Sequence, residues 1–116
     1  MSQTIILYRP VARKELDLIE QSAWSKFPPR LPEQPIFYPV IQLEYARKIT
    51  VDWNVPAYGA GYVTKFEVNS EYLQKFEIQN VGGKGYDELW IPAEELEEFN
   101  SNIVGEIEVI ERYEKG

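Results

Sequence analysis

Residues 27–39, F-P-P-R-L-P-E-Q-P-I-F-Y-P, constrain this chain more than any other stretch, because five of the thirteen are proline. Proline fixes φ and removes a backbone donor, so the run cannot be helix interior or central strand. Each residue before a proline is also pushed toward extended geometry. The stretch is therefore a stiff crossing with little conformational freedom to lose on folding. It carries Phe27, Leu31, Ile36, Phe37 and Tyr38, apolar enough to lie against a core, and holds Arg30, Glu33 and Gln34 on a rigid frame. Three readings stand side by side: a connector packed on the surface, a wall of a ligand site that fixes Arg30 and Tyr38, and a ligand for proline-binding modules.

Around this crossing the chain alternates between two periodicities. Residues 4–8, T-I-I-L-Y, form a β-branched and apolar run that predicts a buried strand closed by Arg9-Pro10. Ala12, Leu16, Ile19 and Ala23 recur at helical spacing and predict a first helix, which Pro28 stops. Ile41, Tyr45, Ile49 and Trp53 recur at four-residue spacing and predict a second helix ending near Asn54 and Pro56. Residues 60–68 alternate, with Tyr62, Thr64, Phe66 and Val68 on one face and Val63, Lys65 and Glu67 on the other. Asn69-Ser70 is placed to cap a helical turn at 71–74. Phe76, Ile78 and Val81 predict a further strand before the glycine loop V-G-G-K-G-Y-D, and residues 88–91 predict a short one after it. Pro92 is expected at the first position of a short helix anchored by Leu96 and Phe99, with Glu94, Glu95, Glu97 and Glu98 on a solvated face. A last strand is expected over 103–112, with the final four residues fraying. Helices come early and strands late, and the strands alternate in polarity. That order predicts an α+β fold with a largely antiparallel sheet, two longer helices and one short one.

Composition narrows the chemistry. A chain of 116 residues, 44% hydrophobic and 27% charged, predicts a single globular domain over 1–116. The net charge is −7, with no basic run, so nucleic acid is not an expected partner. Cysteine and histidine are both absent, which removes disulfides, thiolate nucleophiles and thiolate zinc sites. General acid–base work falls to Asp, Glu, Tyr or Lys. A carboxylate-only Mg²⁺ or Ca²⁺ site stays open, but no EF-hand spacing occurs and no metal ligand set is assigned. The start M-S-Q-T-I-I-L-Y-R-P lacks a cationic head before a long apolar core, and no apolar run approaches the ~18 residues that span a bilayer. The expectation is a cytoplasmic protein that keeps no contact with membranes.

Three polar residues flank predicted strands: Arg9 after the first, Tyr38 at the end of the crossing, and Glu88 after the glycine loop. Each also has a plain structural reading, as a surface charge, a core aromatic and one solvated glutamate among many. The glycine loop is no phosphate motif, since it lacks the Lys-Ser/Thr ending and leads into a strand. Its three glycines suit a mobile loop beside a site.

The segments L-Y-R-P-V-A-R-K-E-L-D-L-I, F-P-P-R-L-P-E-Q-P-I-F-Y-P-V and E-L-W-I-P-A-E-E-L-E-E-F-N-S-N-I-V-G resemble a short uncharacterised bacterial family that carries an ADP-ribosylation label. The resemblance spans about residues 5 to 110. More loosely, the same segments resemble the ADP-ribosyltransferase superfamily. That likeness implies NAD as a substrate, gripped by the first-strand Arg9, with Tyr38 stacking near the nicotinamide. It implies that Glu88 acts on the nicotinamide ribose as the catalytic carboxylate. Arg30, on the rigid crossing, completes the expected nucleotide cleft, and a protein acceptor is a possible second partner. Each role has a physical basis. An arginine fork suits pyrophosphate, a tyrosine face suits a flat cation, and a carboxylate suits a developing oxocarbenium. The chain departs from the pattern at Tyr86, where many transferases carry Gln or Glu toward the acceptor. A non-enzymatic acidic interaction protein and an enzyme on another small metabolite are the rival classes.

Overall fold

The computed structural model describes residues 3–30, 33–80 and 82–114. Among the described residues, seven strands and five α-helices follow in the order β1 (Thr4–Val11), α1 (Arg13–Gln21), β2 (Ile36–Phe37), α2 (Leu43–Ile49), α3 (Val55–Tyr58), β3 (Ala60–Asn69), α4 (Ser70–Leu73), β4 (Ile78–Asn80), β5 (Asp87–Leu89), β6 (Ile91–Pro92), α5 (Leu96–Ser101) and β7 (Ile103–Glu114). The strand pairs are antiparallel, and the fold is α+β. No helix among the described residues is long and apolar enough to cross a membrane.

β3 is the axis of the main sheet, paired with β1 on one side and β7 on the other. Its predicted face is the buried one: Tyr62, Thr64, Phe66 and Val68 are all 2% exposed or less. Beyond β1 the sheet continues through a single residue. The Val40 backbone exchanges hydrogen bonds of 2.8 and 2.9 Å with Tyr8, while Leu89 N–H donates to the Pro39 carbonyl at 2.9 Å and Ile41 N–H to that of Asp87 at 3.1 Å. Val40 thus stitches β1 to β5, and β5 pairs with β4. The end of the proline-rich crossing joins these strands, through the Pro39 carbonyl and through β2, which pairs with β6. Leu31 and the predicted strand residue Val81 lie outside the described residues.

β1 runs through Arg9 and Pro10 rather than closing before them. The Tyr8 N–H points away from β3, toward Val40. Two residues on, the ring nitrogen of Pro10 points the same way, where no ladder bond is required. The main core gathers under the sheet against α1 and α5, with Leu16, Ile19, Phe27, Phe37, Phe66 and Phe99 in it. A smaller cluster of Val40, Ala46 and Val63 sits on the α2 side.

Four local expectations give way. Ala23 leaves the first helix with φ 61°, as Trp24 does at 62°, and the turn aims the Trp24 carbonyl at Ile107 N–H, 2.8 Å away. The second helix does not stop near Pro56: a π turn over Thr50–Asn54 carries α2 into α3, and Gly59 closes it at φ 80°. The wider turn shifts the helical phase, so Trp53 is 72% exposed while Ala46 and Thr50 are buried. Gly61 is required there, since a Cβ would lie 2.6 Å from the Thr50 methyl. Pro92 belongs to β6, and the chain turns helical only at Ala93. Finally, Tyr113 and Glu114 are strand, paired with Gly61 and Ala60.

Candidate functional site

A strand alternates its side chains, so residues two apart share a face. Tyr8, Val40 and Glu88 form one row across the stitched sheet. Following the same register, Pro10, Tyr38 and Trp90 form the next. These rows meet Ile49 from α2 over a depression of about 410 Å³, lined also by Arg9. Arg9, Tyr38 and Glu88, far apart in sequence, all border it, although only Tyr38 and Glu88 belong to these rows. The volume lies within the few hundred Å³ usual for small-molecule sites.

Glu88 is 8% exposed, and both of its oxygens are engaged. Tyr45 hydroxyl donates to Oε2 at 2.9 Å, and Trp90 Nε1–H donates to Oε1 at 2.6 Å. The carboxylate is thereby held in one orientation at the base of the depression. Burial, reinforced by the Glu88 bond and charge, pushes the Tyr45 phenol up to about 12. Tyr38 is 40% and Trp90 43% exposed, and their rings meet edge to face at 87° with centroids 6.3 Å apart. Two open aromatic surfaces beside a fixed carboxylate suit a flat or cationic group.

The Arg9 side chain lies on the other face of β1, in phase with Leu7 and Val11. Its guanidinium lies over the Phe37 ring, 4.5 Å from the centroid. A two-pronged pair with Glu15, Nε to Oε2 at 2.7 Å and Nη2 to Oε1 at 2.9 Å, occupies it. Glu15 stands in the first turn of α1. The positive charge of Arg9 is thus offset within the fold, and Glu88 sets the sign of the depression.

Arg30 does not join these three. It lines a second depression, of about 680 Å³, between α1, the start of the crossing and α5. The two places are nonetheless neighbours, because the Arg30 guanidinium lies 5.9 Å from the centroid of the same Phe37 ring. Burial, together with the charge of Arg9, lowers its pKa.

Sequence reasoning missed Tyr45, Trp90 and Glu15. Tyr45 reads as one member of an apolar helical stripe, and Trp90 as a strand hydrophobe. Trp90 was within reach of a simple signal, since it stands two residues from Glu88. The glycine loop joins the antiparallel pair β4 and β5, and at its base Asn80 Nδ2 donates to the Gly83 carbonyl at 2.7 Å and to Asp87 at 3.0 Å. Tyr86, at the departure from the transferase pattern, packs its ring 5.1 Å from that of Tyr45. No protein-family model, curated protein or solved structure matches the chain.

Proposed function

We propose that the depression around Glu88 binds the nicotinamide riboside end of NAD, and that the protein hydrolyses NAD or transfers its ADP-ribose. The meeting of Tyr38, Trp90 and the fixed Glu88 carboxylate at one depression, with Arg9 at its border, supports this reading most. The nicotinamide ring of NAD is flat and cationic, and it faces Tyr38 and Trp90 in this reading. As the bond from the ribose C1′ to the nicotinamide nitrogen breaks, its electron pair leaves with the neutral nicotinamide. The positive charge passes to the ribose, where the Glu88 carboxylate stabilises it. Water, or an acceptor, then adds at C1′ and releases a proton. Tyr45 and Trp90 hold Glu88 as positioning residues.

The experiment is calorimetry with NAD and ADP-ribose, followed by assay of nicotinamide release. Glu88→Gln should keep the fold, since Trp90 can donate to the amide oxygen while the Tyr45 hydroxyl accepts from the amide NH₂. Turnover should fall by ~100-fold or more, in the range seen when one electrostatic stabiliser is lost. No NAD binding at millimolar ligand would end the proposal.

A second reading has its own support. Arg9 and Glu88 are both satisfied inside the fold, while Trp53 and Tyr58 stand 72% and 70% exposed along the second helix. A non-enzymatic interaction protein would keep its complexes in Glu88→Gln and lose them in Trp53→Ala with Tyr58→Ala. Pull-down with the two variants separates the readings.

A further inference from the structure

We propose that the depression holding Arg30 is a separate site for a small organic monoanion, a carboxylate on an apolar body. Leu18, Phe27, Pro28, Pro29 and Leu96 give it a largely apolar surface, interrupted by Gln21, Ser22 and Asn100, and its volume of about 680 Å³ exceeds that of the Glu88 site. Arg30 supplies the cation. Among the described residues its Nε has no hydrogen-bond partner, although the atom is shut away from water. The one carboxylate that pairs with the neighbouring guanidinium cannot fully serve both, because Arg9 takes both oxygens of Glu15. A buried donor left unmade carries a free-energy cost that an arriving acceptor removes. A carboxylate offers the guanidinium fork two acceptors in one plane. A small turn of the half-buried Arg30 side chain would bring Nε onto one of them.

The rim decides the ligand's charge. Glu94 and Glu97 line the same depression and are exposed, with Lys26 near them. Repulsion from two carboxylates grows with every negative charge on the ligand. Lys26 and Arg30 only offset these two carboxylates, so no surplus positive charge repays the larger desolvation cost of a phosphate dianion, and a single carboxylate is the better match. The apolar walls favour a ring or branched chain behind that carboxylate over a free acid such as formate. None of this depends on NAD binding at Glu88.

The test is titration of ¹⁵N-labelled protein with sodium benzoate, following the Arg30 Nε–H resonance. Benzamide, which keeps the ring without the charge, and inorganic phosphate are the comparisons. Benzoate should shift the resonance and saturate, with both comparisons at least ~10-fold weaker, the worth of a charge-assisted hydrogen bond. Arg30→Gln should remove saturable benzoate binding, read by calorimetry, while circular dichroism shows the fold intact. Should that variant unfold, Arg30→Lys keeps the charge and loses the fork, and it should weaken benzoate binding. A benzoate response no stronger than benzamide's overturns the proposal. So does phosphate binding as tightly as benzoate, or undiminished binding in the Arg30 variants.

Discussion

Around Glu88 the charged groups have found partners inside the fold, whereas beside the Phe37 ring Arg30 keeps a buried nitrogen with none among the described residues. Both regions use the same materials: an arginine over Phe37, aromatic or apolar walls, and residues of the proline-rich crossing. They differ in what the nearest secondary structure supplies. The first turn of α1 offers Glu15 to Arg9, and α2 offers Tyr45 to Glu88. Nothing comparable among the described residues reaches the Nε of Arg30. A fully bonded network holds a site's shape before any ligand arrives, while an unmade bond leaves part of the binding energy for the ligand to release.

Substitutions test this contrast directly. Phe37→Ala should have the largest effect, since the ring is wholly buried and both guanidinium groups lie over it. A loss of about 3–5 kcal/mol is expected, read from urea unfolding. Glu15→Ala makes Arg9 resemble Arg30. The pair's side chains are 10% and 20% exposed, so stranding the cation should cost about 2–4 kcal/mol. Replacing both members by Met and Leu should recover most of that loss. Trp90→Phe keeps the ring and removes the donor to Glu88 Oε1, with an expected cost of about 1.5–3 kcal/mol in the same assay. Arg30→Gln runs the other way: removing the unsatisfied group should leave stability unchanged or raise it by up to about 1 kcal/mol. The smallest effect at neutral pH belongs to Tyr45, whose phenol is raised from 10.0 to about 12. Its raised value favours the neutral phenol in the fold. That contribution is fully present below pH 10 and is lost as pH climbs toward 12. Glu88→Gln should shorten that window, because the carboxylate's bond and charge fall away while burial remains. Absorbance of tyrosinate across the pH range checks it.

Local patterns reach far into this molecule. The alternation of residues 60–68 places the central strand and its buried face, and Leu96 and Phe99 anchor their helix as spaced. Phases that depend on a tight register fail instead. Trp53 sits on the expected apolar stripe until the π turn adds a residue and rotates it outward. Arg30 looks equivalent to Tyr38 as a polar tip on one rigid frame, yet the two line different depressions.

The chain's own order determined that its strands alternate and pair antiparallel, that prolines bar helix from the crossing, and that acid–base chemistry must rest on carboxylates, phenols or lysines. These follow from φ limits and side-chain period, which act over a few residues. Only the tertiary structure decided who meets whom. The pairing of Val40 with both Tyr8 and Glu88 sets the rows that bring Glu88 to Tyr45 and Trp90. Such partners are chosen by long-range register, and a one-residue slip would turn each side chain to the opposite face of the sheet.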